Sequence, residues 1–175
     1  MTDAERPSAV ERELERHDAF EPADDTYRLT TTVFDAAVDV TPADGARDGE
    51  FAVTVTLPTL DNAVAGERVA TAVEDGWYET LKRRLADIFT VAQTTTHDNP
   101  TVSRDDDTVT VRLEYTARDA GEGVADAKTL VEFVEGTYAQ GIIPGYEYRG
   151  PAGTLLENAQ QRGEQADGDA GGMPM

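Results

Sequence analysis

Any chemistry in this chain has to come from a short inventory of side chains. There are two histidines, His17 and His97, two serines, Ser8 and Ser103, two lysines, Lys82 and Lys128, and no cysteine. Lack of cysteine removes disulfides, thiolate nucleophiles, iron–sulfur ligation and the common zinc knuckles. An imidazole base or metal ligand would need the two histidines to converge with carboxylates, and nothing in their spacing requires it. In His97-Asp98-Asn99-Pro100 the histidine reads as a turn residue. No G-x-S-x-G surrounds either serine, which nearly closes serine hydrolase chemistry. A Schiff-base lysine needs a desolvated pocket. Lys82 and Lys128 instead fall on or near the polar sides of predicted helices and read as ion-paired surface cations.

Carboxylates are plentiful but poorly patterned for a site. Asp105-Asp106-Asp107, with Asp98 nearby, has the hard oxygen ligands a divalent cation takes, yet as a turn it reads as a solvated hairpin tip. Asp44 to Glu50 lacks the alternating ligands of an EF-hand loop. Neither G-x-x-x-x-G-K-[ST] nor G-x-G-x-x-G occurs, and Gly121-Glu122-Gly123 is too short and acidic to cradle phosphate. The sequence therefore predicts no catalytic residue, no metal and no cofactor. One segment stands out: Gly141-Ile142-Ile143-Pro144-Gly145-Tyr146-Glu147-Tyr148 carries more apolar surface than a strongly acidic chain normally shows to water. Either it packs over the open end of a sheet, or Ile143, Tyr146 and Tyr148 line a groove for a partner or small ligand.

The elements that must position this segment follow from periodicity. Ser8, with Glu11 three residues on, suggests a capping box opening a thin helix to about Asp18 that turns Val10 and Leu14 inward. After Glu21-Pro22-Ala23-Asp24-Asp25 the period becomes two through Tyr27, Leu29, Thr31 and Val33. Its parity shifts near Phe34-Asp35 to Ala36, Val38 and Val40, and a bulge is the simplest explanation. Asp44 to Gly49 is a turn by composition. Phe51, Val53, Val55 and Leu57 form the clearest strand, pairing with the preceding one as a hairpin closed by Pro58. Val69, Val73, Trp77, Leu81, Leu85 and Ile88 then follow helical spacing, with the sole tryptophan in the stripe. Gly76 weakens that helix enough to suggest a start only at Asp75. Strand fragments follow at Val91–Thr96 and Thr101–Ser103, then a strand through Val109, Val111, Leu113 and Tyr115. Gly121-Glu122-Gly123 ends it, and a last long helix runs to Gly141. A short helix is possible from Pro151 to Gln161, and residues 163–175 read as a disordered, acidic, Gly-rich tail. The expectation is a single α+β domain over 1–162, with an antiparallel sheet of about four strands, helices on one face and the order α-β-β-α-β-β-α.

Composition bounds the setting. Thirty-five acidic residues face fifteen basic ones, a net charge of −20 over 175 residues. Such a chain repels itself in dilute buffer, but in molar salt the Debye length falls to about 3 Å and the repulsion is screened. Few lysines and almost no isoleucine complete the profile of a salt-adapted cytoplasmic protein. The charge argues against a nucleic-acid partner, because no basic face is dense enough; Arg83-Arg84 sit among acids. No apolar run approaches a membrane span, and the first six residues lack the features of a secretory signal.

Gly76-Trp77-Tyr78-Glu79-Thr80-Leu81, Leu130 to Tyr138 and Gly141 to Tyr146 resemble stretches of an uncharacterised haloarchaeal family of small acidic proteins. The resemblance covers most of the chain except the tail and implies no catalytic residue. In order of elements alone, residues 8–140 also resemble YbjN-like sensory regulators and type III secretion chaperones. These readings together predict a non-catalytic protein-interaction or regulatory domain with a protein partner. The alternative is a small-ligand protein or enzyme using buried carboxylates, for which Glu114, Glu132 and Asp39 are the candidates.

Overall fold

Alternation of apolar and polar side chains builds the central pair of strands. In the computed structural model, which describes residues 8–23, 26–42 and 49–159, β3 (Asp35–Thr41), β4 (Gly49–Pro58) and β8 (Thr108–Ala117) form the middle of one antiparallel sheet. β4 and β8 pair along their full length, from Gly49 opposite Ala117 to Pro58 opposite Thr108. Phe51, Val53, Val55 and Leu57 of β4 and Val109, Val111, Leu113 and Tyr115 of β8 all turn to the same buried face. Ala52, Thr54, Thr110, Arg112 and Glu114 look out from the other face, which is half-buried or exposed.

Among the described residues the sheet has seven strands rather than about four. β1 (Phe20–Ala23) and β2 (Thr26–Leu29) extend it past β3, and β6 (Thr96–His97) and β7 (Thr101–Arg104) both pair with β8 on the far side. The parity change at Phe34 is a chain reversal and not a bulge: β2 and β3 are separate strands, with Tyr27 opposite Val38 and Arg28 opposite Ala37. Both produce the same flip in the alternation. The buried carboxylate of Glu135 settles the reversal by accepting the Phe34 N–H at 2.7 Å. Pro22 lies in β1, where a missing N–H blunts the sheet edge.

α1 (Ser8–Arg16) lays Val10 and Leu14, both fully buried, against the main core. After β4 come the one-turn α2 (Leu60–Ala63), the two-residue β5 (Val64–Ala65) and α3 (Thr71–Leu85). α3 begins at Thr71, not Asp75, and Gly76 is an interior helical residue. Its buried residues are Trp77, Tyr78, Leu81 and Leu85, while Val73 is 37% exposed and leaves the predicted stripe. A 3-10 turn at Ile88–Val91 replaces the start of the expected strand fragment. α4 (Ala120–Gln140) starts earlier than the glycines suggested: Asp119 caps it by accepting the Glu122 N–H at 3.0 Å. β9 (Glu147–Tyr148) pairs with β5 as a separate two-stranded ladder, and residues 150–159 are helical, here α5. The order is therefore richer than α-β-β-α-β-β-α, because strands of two to four residues are too short to show a period. The side chain of Ser8, residues 44–48 of the predicted turn and the tail 163–175 lie outside the described residues.

Candidate functional site

The site is built around Gly76, which like Gly136 of α4 is a glycine inside a helix whose Cβ would meet nothing. Glycine inside a helix costs about 1 kcal/mol relative to alanine, and here nothing lies within 4 Å of where a Cβ would stand. Gly76 is exposed and borders a groove of about 270 Å³ between α3 and the C-terminal end of α4. Trp77 and Leu81 line it from α3, Thr137 and Gln140 from α4, and Ile143 from the loop beyond. Arg84, two turns after Trp77 on the same helix, stands at the groove as well.

Aromatic packing fixes Trp77. Its ring meets Tyr138 edge-on at 5.6 Å, and Tyr138 meets Phe34 the same way at 4.8 Å. The Tyr138 hydroxyl donates to the Pro58 carbonyl at 3.2 Å, tying α4 to the end of β4. Burial, with the nearby Tyr148 and Glu74 as lesser causes, pushes the Tyr138 phenol far above its ordinary range. Ile143 is positioned with equal economy. The Tyr148 hydroxyl accepts the Ile143 N–H at 2.9 Å and donates to the Ile143 carbonyl at 2.8 Å. The intervening turn uses Gly145 at φ 101°, a left-handed conformation that glycine takes without strain. Past β9, Arg149 anchors the loop by donating its N–H to the Ala63 carbonyl at 2.8 Å and Nε–H to the Asn62 carbonyl at 2.9 Å.

Of the three residues singled out from the sequence, Ile143 reaches the groove. Tyr146 and Tyr148 pack half-buried against the core, and Tyr148 spends its hydroxyl on holding the loop. Nothing in the sequence joined Arg84, read only as part of Arg83-Arg84 among acids, to Thr137 and Gln140, because only the packing of α3 on α4 brings them together. Gly76 did carry a signal, as a helix-weakening residue without an evident reason.

The remaining chemical candidates serve the fold. His17 adjoins β1 and His97 lies in β6, at opposite edges of the sheet. The His17 Nδ1 accepts the Ala19 N–H at 3.2 Å, while His97 stacks on Phe89 at 4.0 Å. Asp105 accepts the Thr108 and Asp107 N–H groups at 2.7 and 2.9 Å, closing the β7–β8 hairpin. Those bonds, Thr108 first, hold its carboxyl below the usual range. No group of three or more metal-ligating side chains is placed to hold an ion among the described residues. Lys128 pairs with Glu132 at 2.7 Å, while Lys82 lies 6.0 Å from the centre of the Tyr78 ring.

The acid–base candidates are equally occupied or exposed. Glu114 pairs with Arg112 at 3.1 Å, and Asp39 is exposed on β3. Among the described residues the buried carboxylates are Asp126 and Glu135, and the half-buried Glu74 has a buried Oε2 that accepts no hydrogen bond and faces the Arg104 guanidinium at 3.6 Å. Asp126, 2% exposed, accepts the Gln93 and Thr94 N–H groups at 2.8 and 3.0 Å and so secures a loop without ladder bonds.

Residues 15–158 match a family model described as "Family of unknown function (DUF5813)". The chain belongs to this family. The match runs from within α1 to within α5 and includes every groove residue named above. No curated protein and no solved structure matches the chain. No helix among the described residues is long and apolar enough to cross a membrane.

Proposed function

We propose that this member of the DUF5813 family is a non-catalytic protein-interaction domain, and that the α3–α4 groove seats an apolar side chain of its protein partner. The observation that carries the reading is the groove itself: Gly76, where helix propensity alone favours alanine, borders it with open space where a Cβ would stand. A rigid floor of Trp77 and Leu81 and a pinned Ile143 lower the ordering cost of binding. The occupied state of the buried carboxylates supports this reading over acid–base catalysis. The acidic, lysine-poor composition supports a salt-rich cytoplasm as the setting, in keeping with the resemblance to haloarchaeal proteins. A regulatory role, suggested by the looser likeness to YbjN-like regulators and secretion chaperones, would work through the same groove.

Backbone amide hydrogen exchange tests the surface. A partner recovered in molar KCl and purified should protect amides of residues 76–84 and 137–143 when added back. Protection confined to the bare face of the sheet, around Ala37, Thr54 and Thr110, would overturn the assignment.

A further inference from the structure

The groove is not uniformly apolar. Trp77 is only 6% exposed, and its indole N–H, which meets no acceptor among the described residues, is not itself a buried atom but stays accessible at the groove. A Cβ at position 141 would stand 3.5 Å from Nε1, so Gly141 keeps the approach to that donor open. Gly141 has φ −87° and ψ 0°, which any residue adopts, so the backbone does not demand glycine. The second donor is Arg84. Like Arg12, Arg68, Arg83 and Arg118, Arg84 holds no ion pair among the described residues, and of these it alone lines the groove. Its neighbours Lys82 and Arg83 complete a basic last turn of α3.

An indole N–H open to the groove and a free guanidinium on one helix face, beside Leu81 and Ile143, match a specific ligand chemistry. A guanidinium fork pairs with a carboxylate through two parallel bonds, and the indole supplies one further donor. Drug-sized ligands occupy about 300–1,000 Å³, so a groove of about 270 Å³ holds one residue rather than a long segment. An aspartate or glutamate has the acid without an apolar body. A chain-terminal leucine or phenylalanine carries both on one Cα.

We infer that the groove recognises the C-terminal residue of the partner protein, its carboxylate held by Arg84 and the Trp77 N–H and its apolar side chain set against Leu81 and Ile143. This rests on the reading of the groove as a protein-binding surface. Trp77, the only tryptophan, reports occupancy by its emission. The probes are N-acetylated tripeptides ending in leucine or phenylalanine, each as the free acid and as the C-terminal amide, with N-acetyl-leucine as the small-acid control, all in molar KCl. At least one free acid should bind saturably and lose about tenfold or more in affinity on amidation, as expected for charge-assisted hydrogen bonds. Arg84→Gln should bring the acid down to the level of the amide and leave the amide unchanged. Gly76→Leu should abolish both. Equal binding of acid and amide would overturn the carboxylate assignment and leave the groove as an apolar protein site. N-acetyl-leucine binding as tightly as the tripeptide would overturn the C-terminal source in favour of a free small acid. Absence of binding by every probe would overturn the C-terminal inference, while amide protection by the purified partner decides the groove reading separately.

Discussion

Trp77 joins the core to the groove, and its contacts set what its loss would do. It is buried against Tyr138 and shares the α3 face with Leu81 and Leu85. Trp77→Ala should cost about 3–5 kcal/mol, measured by chemical denaturation, as for other large aromatic truncations. A variant as stable as the parent would mean that the ring contributes little to the core. The tyrosines make a second point. Tyr115 is raised well above its ordinary value, first by burial and then by the Asp126 charge; Tyr138 is raised as well, and Tyr148 less deeply buried but in the same direction. In the unfolded chain these phenols ionise at about pH 10, while the folded state keeps them neutral. Unfolding therefore releases protons in that range, and the stability they contribute is full below about pH 10 and falls as pH rises further. Tyrosinate absorbance should appear for Tyr115 and Tyr138 together with loss of secondary structure. Their titration in a still-folded protein would contradict this account.

Among the helices and strands, the sequence was most legible where a period ran long and least where an element was short or its meaning depended on pairing. β4 and β8 were readable because ten residues each keep one buried face. β5, β6 and β9, two residues each, have no readable period. The flip at Phe34 was visible, but alternation cannot tell a bulge from a reversal until the partner strand is known. Gly121-Glu122-Gly123 looked like a break and is the first turn of α4. A Cβ at Gly123 would overlap the Phe51 ring and stand 2.9 Å from the Ala117 Cβ. The Tyr115 hydroxyl donates to the Gly123 carbonyl at 2.6 Å, fixing the same approach. Gly123→Ala should therefore destabilise by about 1–3 kcal/mol, the cost of overpacking a close contact, despite alanine's better helix propensity. An alanine variant with a raised unfolding temperature would show that α4 moves aside freely. The groove was half legible for the same reason: the apolar run around Ile143 is local, whereas Arg84 and Gln140 meet only through tertiary packing.

Across the molecule, charge governs the conditions under which any of this operates. A net charge of −20 repels the compact state, and salt screens that repulsion within about 10 Å at 0.1 M and about 3 Å at 1 M. The unfolding temperature should rise steadily with KCl up to molar concentration; a flat response would count against salt adaptation. The groove offers the sharper test, because Gly76 separates stability from binding. Alanine or leucine at position 76 should hold or raise the unfolding temperature, since both are better helix formers and a Cβ meets nothing within 4 Å. Leucine would nevertheless fill the space between Trp77 and Gln140. The decisive measurement is therefore partner affinity and unfolding temperature for Gly76→Leu beside the parent chain, in molar KCl. Stability kept and binding lost is the predicted result; a stable Gly76→Leu chain that binds its partner as tightly as the parent would contradict the assignment of the groove.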